Sequence, residues 1–385
     1  TIGVYVHIPF CVRKCLYCGF SSVAAPSIPE KRYAECLVRE LGLMLESQSL
    51  HDRALESIYI GGGTPSVFSP ATIARIISSI SNAFHHNGKS EITMEANPDT
   101  LNAKSLKGYR DAGVNRLSIG FQALDDRLLK AIGRTHDKKA AVAGFSSARQ
   151  AGFENISIDL MSGLPGQASS DLEETLLKAV RMGPEHISLY GLTIEESTPF
   201  YGMREKGLLN APDEDEQARQ YVSASSILTR AGYAHYEISN FSLPDRSSAH
   251  NSRYWLGGEY IGLGASAHSC MKAEGWGRRW WNILDPYEYM QAVEGEERLE
   301  AGFEVLSRDN AIAEDIMLGL RMFDKGIDFN ELSNLYGIEI KDAAEKAALF
   351  AGDGFLKKSR DRFSLTLKCA LVSNEVFSAL IAAAC

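Results

Sequence analysis

The sequence predicts an α/β fold: a partial (β/α)6 TIM-like barrel followed by a small helical, winged-helix-like C-terminal domain. Three observations point there. Short apolar, β-branched segments alternate with amphipathic ones through the first two thirds of the chain. Polar residues gather at the ends of many successive strand segments, as in barrels, whereas a doubly wound sheet concentrates them at one switch point. Beyond Arg308 the pattern changes to helices and a hairpin.

The strand segments are Val4–His7, Ser57–Ile60, Glu91–Met94, Arg116–Gly120, Asn155–Met161 and His186–Tyr190. Their nearly continuous apolar character suits parallel strands covered on both faces. Helical periodicity fills the intervals at Glu30–Glu46, Pro70–Ala83, Ala103–Ala112, Lys139–Ala151 and Ser170–Met182, and Gly113, Gly152 and Gly183 follow three of these segments as helix stops. Six such units joined by right-handed crossovers make residues 1–240 the partial barrel. Residues 241–305, rich in Ser, Gly, Trp and Tyr, read as a connecting region wrapped over it. Residues 306–385 form the C-terminal domain. Its helices are expected at Asn310–Phe323, Phe329–Leu335 and Asp342–Ala351, its hairpin at Phe355–Lys358 and Arg362–Thr366, and its last helix from about Leu371.

The chain has 385 residues, 45% of them hydrophobic and 23% charged, as in ordinary soluble globular proteins. No apolar run reaches the eighteen residues of a spanning helix, and the chain opens directly on a strand, with no charged-then-apolar leader. The net charge of −9 argues against a general nucleic-acid binder. The segment Asp342–Lys346 of the winged-helix-like unit is mixed in charge, so a structural or docking role fits it better than DNA binding. Seven cysteines, an odd number in a long chain without a leader, point to a reducing cytoplasm and away from a disulfide framework.

The most specific motif is CxxxCxxC: Cys11, Cys15 and Cys18, directly after the first strand. Three thiolates in one short loop can hold three irons of a [4Fe–4S] cluster and leave the fourth open. Zinc is the competing metal, and a structural zinc would require a fourth Cys or His at short spacing. His7 is the only neighbour and reads as a core histidine, while Cys36, Cys270, Cys369 and Cys385 are scattered. The cluster is the favoured reading.

Gly61-Gly62-Gly63-Thr64-Pro65 follows the second strand, and three glycines exceed what a tight turn needs. They suit close approach of backbone to a ligand, although no lysine follows to make a phosphate-binding P-loop. Glu95, in Glu95-Ala96-Asn97-Pro98, could receive an ammonium group. Gln122, Arg134 and Asp159 are weak alone and gain weight by converging on one barrel mouth. His250, in a polar, aromatic stretch with Tyr254 and Trp255, fits equally an axial heme ligand and a hydrogen-bonded structural residue. Gly262–Ser269 is a small-residue loop that lets backbone approach the barrel mouth.

Together these residues resemble the radical S-adenosylmethionine superfamily, and within it the oxygen-independent coproporphyrinogen III oxidase-like group, heme chaperone branch. The resemblance covers nearly the whole chain. Phe20 stands where the oxidases carry a further cysteine, and the N-terminal extension of those enzymes is absent before the first strand. His250, Asn251, Tyr254 and Trp255 match the branch's His-Asn-x-x-Tyr-Trp motif, whose histidine is implicated in heme binding.

The resemblance implies that Cys11, Cys15 and Cys18 ligate the cluster, and that the methionyl amine and carboxylate of S-adenosylmethionine chelate its open iron. It implies that Tyr5, Tyr17, Gly62, Gly63, Thr64, Glu95, Gln122, Arg134 and Asp159 line the S-adenosylmethionine pocket, with Gly191 and His268 as further contacts. The general mechanism is one-electron cleavage of the sulfonium, which forms a 5′-deoxyadenosyl radical; no residue of this chain is assigned a catalytic role. The implied function is delivery of heme to respiratory hemoproteins, with an electron donor as a further partner and membrane contact only through partners. The alternative is an anaerobic coproporphyrinogen III dehydrogenase, or another tetrapyrrole-modifying enzyme that transfers methyl or opens the heme ring.

Overall fold

All six expected strands form, and they lie side by side in the expected order. The computed structural model describes residues 1–47, 50, 52–85, 88–272 and 275–384. The strands are β1 (Ile2–Ile8), β2 (Phe10–Cys11), β3 (Val23–Ala24), β4 (Leu55–Gly62), β5 (Glu91–Ala96), β6 (Arg116–Gln122), β7 (Ile156–Ser162) and β8 (His186–Gly191). β1 and β4 through β8 pair in parallel, each with the next. β2 and β3 are a short parallel pair that brackets the cysteine loop.

Strand alternation sorts the side chains. Val4, Val6, Ile58, Ile60, Leu117, Ile119, Ile158 and Leu160 join one hydrophobic cluster with Ile73, Ile76, Ile77 and Ile80 of the helix Pro70–Ala83. The alternate positions, Tyr5, Tyr59, Glu95, Ser118, Asp159 and Ser188, share the opposite face. That helix starts as its sequence demands: Ser69 caps it by accepting from the Thr72 amide, and Pro70 takes a first-turn position that needs no donor. Gly183 ends the helix Ser169–Met182 at φ 69°, where a side chain would be strained. Asp213, in the acidic run Asp213–Glu216, caps the helix Glu214–Arg230.

The connecting region differs from expectation. Residues 260–305 extend the sheet at one end instead of wrapping over it, and residues 234–242 extend it at the other. β9 (Ala234–Glu237) and β10 (Asn240–Ser242) add to the β8 edge. β11 (Tyr260–Leu263) pairs in parallel with β1, and β12 (His268–Met271), β13 (Arg278–Asn282) and β14 (Glu300–Val305) follow antiparallel. The result is a twelve-stranded open sheet with β14 and β9 at its ends, so the barrel does not close. These added strands are short, and aromatic and charged side chains interrupt their alternation, which hid them in the sequence.

The C-terminal residues build a separate cluster from Leu306 to Leu380. Its helices are Arg308–Leu320, Phe329–Tyr336, Lys341–Gly352, the single turn Leu367–Ala370 and Ser373–Ala384. β15 (Ile327–Asp328), β16 (Leu356–Ser359) and β17 (Arg362–Leu365) form a small sheet in the order β15-β17-β16, with the expected hairpin turning at Arg360. Among the described residues no helix is long and apolar enough to cross a membrane.

Candidate functional site

The cysteine loop is held by its backbone and by two apolar side chains. Leu16 donates its amide to the Ile132 carbonyl and accepts from the Phe200 amide. Leu16 and Tyr17 pack on a cluster of Leu128, Leu129, Ile132, Met161 and Phe200. The glycine turn presses on the same loop: a Cβ on Gly63 would lie 2.8 Å from the Phe10 carbonyl oxygen and 3.0 Å from the Cys11 sulfur. Gly62, at φ 114°, leaves no room for a side chain beside the His7 ring. The glycines thus serve close packing of two loops, and Gly62 and Gly63 still line the cavity beyond. His7 is the core histidine expected, bonded to the Tyr5 hydroxyl at 2.9 Å and the Ser21 carbonyl at 2.7 Å.

Cys11, Cys15 and Cys18 carry free thiols and open on one cavity of about 380 Å³. Burial raises the Cys11 and Cys18 thiols, and the neighbouring cysteines add to the shift. The Thr64 hydroxyl donates to the Cys11 sulfur at 3.4 Å, and Arg134 reaches the Cys15 sulfur at 3.6 Å. Among the described residues no three His, Cys, Asp or Glu groups close on a single metal ion. Cys36, Cys270 and Cys369 also lie elsewhere as free thiols, and Cys385 falls outside the described residues.

Tyr17, Gly62, Gly63, Thr64, Glu95, Gln122, Arg134 and Asp159 line the same cavity. Glu95 accepts from the Tyr59 hydroxyl at 2.8 Å and the Gly62 amide at 3.2 Å, and burial pushes its carboxyl up to about 7. Asp159 sits in the middle of β7, not in a turn, and accepts from Ser118 at 2.8 Å; burial raises it too. Gln122 ends β6 at φ 64°, just past a register shift, a strained position of the kind that clusters at functional sites. Arg134 spends its guanidinium on Asn97 at 2.7 Å and the Gly120 carbonyl at 2.8 Å, and so ties the cysteine loop to the strand ends.

Sequence reasoning missed Arg116. It is 1% exposed, lies under the cavity, and has Glu91 at 4.0 Å as its ion-pair partner; its Nε makes no hydrogen bond. A lone arginine opening an apolar strand was the available signal.

Four expected site residues lie elsewhere. Gly191 ends β8 without lining this cavity. Tyr5 and His268 line a second cavity of about 480 Å³, between β1, β11 and β12 and the C-terminal cluster. His250 lines neither. It belongs to a helix, Ala249–Trp255, not a loop, and is 1% exposed. Glu91 holds the start of this helix by accepting from the Ala249 and His250 amides. His250 Nδ1 bonds Ser57 at 2.8 Å and Nε2 bonds the Tyr254 hydroxyl at 2.8 Å, while its ring stacks on Tyr59. Burial and Arg253 lower its pKa to about 3, so it stays neutral. The polar stretch is a buried helix, and both ring nitrogens of His250 bond within the protein, the geometry of the hydrogen-bonded reading. The helix divides the two cavities, with Asn251 facing the first and Tyr254 and Trp255 facing the second.

His250→Ala is therefore expected to destabilise the fold by about 2–4 kcal/mol, because it opens a cavity and leaves Ser57 and Tyr254 unpaired. Chemical denaturation measures this. A change under 1 kcal/mol would contradict the internal role.

The profile of the Radical SAM superfamily matches residues 5–179, and that of the HemN C-terminal domain matches residues 306–372. The chain is 36% identical to the heme chaperone HemW of Lactococcus lactis, over 97% of this chain and 96% of that one. It is 35% identical to the heme chaperone HemW of Bacillus subtilis, over 98% and 99%. Among solved structures, coproporphyrinogen III oxidase (HemN) from Escherichia coli superposes with a TM-score of 0.83 at 23% identity, covering 98% of this chain and 89% of that one.

Proposed function

Because the chain belongs to the radical SAM superfamily, in the family of the heme chaperone HemW proteins, we propose that it is a heme carrier holding a [4Fe–4S] cluster and S-adenosylmethionine. One observation carries the cofactor half of this reading. Three free thiols open on a cavity whose other walls carry Glu95, Asp159, Gln122 and Arg116. The donor set fits: each thiolate of such a cluster takes a different iron, so the three need not meet at one point as zinc ligands must. When bound, the cluster supplies the electron for reductive cleavage of S-adenosylmethionine.

Cys11, Cys15 and Cys18 would hold the cluster. Glu95 would receive the methionyl ammonium, and Arg116 has donors at the cavity for a carboxylate. Asp159, Gln122, Tyr17 and Thr64 offer polar groups for the rest of the ligand. Arg134 would act by fixing the Cys15 side of the loop.

The heme half rests on the relatives' names. Heme is then the cargo, respiratory hemoproteins are its acceptors, and a separate donor reduces the cluster in the cytoplasm. The likeness to coproporphyrinogen III oxidase, at 23% identity, speaks for the fold alone. Phe20, 69% exposed on the cavity, stands where the oxidase class has its extra cysteine.

Anaerobic heme titration beside a coproporphyrinogen III turnover assay tests the reading. Saturable heme binding without conversion is expected. Conversion to protoporphyrinogen without heme binding would replace the carrier with the enzyme.

A further inference from the structure

The second cavity has the size and the aromatic walls of a small-molecule site. Its volume of about 480 Å³ falls within the range of small-molecule pockets, about 300–1,000 Å³. Tyr254, Tyr260 and Trp276 give it aromatic walls, and Leu306 and Leu318 of the C-terminal region give it an apolar one. Tyr254 and Tyr260 meet edge to face at 4.5 Å, and Trp276 packs on Tyr336 at 4.9 Å. Trp276 is 37% exposed, so the cavity meets solvent, as a site that releases cargo must.

His268 differs from the other wall and core histidines. His7, His136, His186, His235 and His250 each have a ring nitrogen in a hydrogen bond. His268 has none among the described residues; its ring stacks on Trp281 at 5.7 Å. It is exposed on β12 and points into the cavity from the same face as Cys270, two residues on.

We propose that heme binds in this second cavity with His268 as the axial ligand of its iron, while His250 positions Tyr254 in the wall. The inference rests on the heme-carrier reading above and adds the place and the ligand. Neutral imidazole is a common heme ligand, and flat aromatic rings suit a porphyrin face. Cys270 is the competing donor at the same wall, and replacing it separates the two.

The test titrates hemin into the reconstituted full-length chain and into His268→Ala, His268→Gln and Cys270→Ser, following the Soret band. Both His268 variants are expected to lose at least tenfold in affinity and to shift the band, with the cluster absorbance unchanged. Added imidazole should restore the wild-type band in His268→Ala, which a merely structural role would not allow. Wild-type spectra in both His268 variants, or a shift in Cys270→Ser instead, would overturn the assignment while leaving heme binding intact. No saturable heme binding by the wild type would remove the carrier reading, and this inference with it.

Discussion

Replacing Cys11, Cys15 or Cys18 by serine is expected to abolish the brown colour of the anaerobically reconstituted protein. Iron and sulfide should fall from about four each per chain to near zero. Each thiol would serve a different iron, and no other cysteine among the described residues lies at this cavity to substitute. The fold should survive, because Leu16 and Tyr17 and the backbone bonds of the loop hold it without the sulfurs. Circular dichroism checks the fold, and metal and sulfide analysis checks the cluster. Stoichiometric zinc without sulfide in the wild type, or wild-type iron in the serine variants, would remove the cluster from the account.

Glu95→Ala is expected to weaken S-adenosylmethionine binding by about 2–5 kcal/mol, the cost of leaving a desolvated charge without its partner. Glu95→Gln keeps an acceptor for Tyr59 and separates lost charge from lost shape. The pH dependence has a definite sign. The free carboxyl sits at about 7, whereas an ammonium partner requires the carboxylate. Binding therefore releases a proton at low pH, and affinity should fall by up to about tenfold per unit below pH 7. The glutamine variant should lose that slope. Unchanged affinity in both variants would mean that the ammonium sits elsewhere.

Much of this was legible in the sequence because the physical signals were local. The six central strands announced themselves by apolar β-branched runs, and the helices between them by caps and glycine stops such as Ser69 and Gly183. The cysteine spacing marked the loop, and Glu95 and Gln122 converge with it because parallel strands align their C-terminal ends on one side, while Asp159 joins them from the middle of β7.

What was not legible depends on pairing between distant segments. β11 is recognisable only by its partner β1, more than two hundred residues away in the chain, and β12 through β14 follow from it. His250, Tyr254 and Trp255 form a polar, aromatic stretch whose sequence leaves the role of the histidine open. Only the tertiary structure supplies Ser57, Tyr59 and Glu91, which draw the histidine inside. Arg116 opens a strand, and its meaning comes from the cavity above it. The same pairing moves Tyr5 and His268 from the first cavity to the second.

The most direct measurement of the central claim is transfer. The reconstituted chain is loaded with one equivalent of heme, separated from free heme, and mixed with a heme-free respiratory hemoprotein under anaerobic conditions. Absorption spectra of the re-separated proteins then report where the heme resides. The account predicts that heme leaves this chain and appears in the acceptor with the spectrum of its native form. Heme that remains on this chain, in a preparation that decarboxylates coproporphyrinogen III, would contradict it.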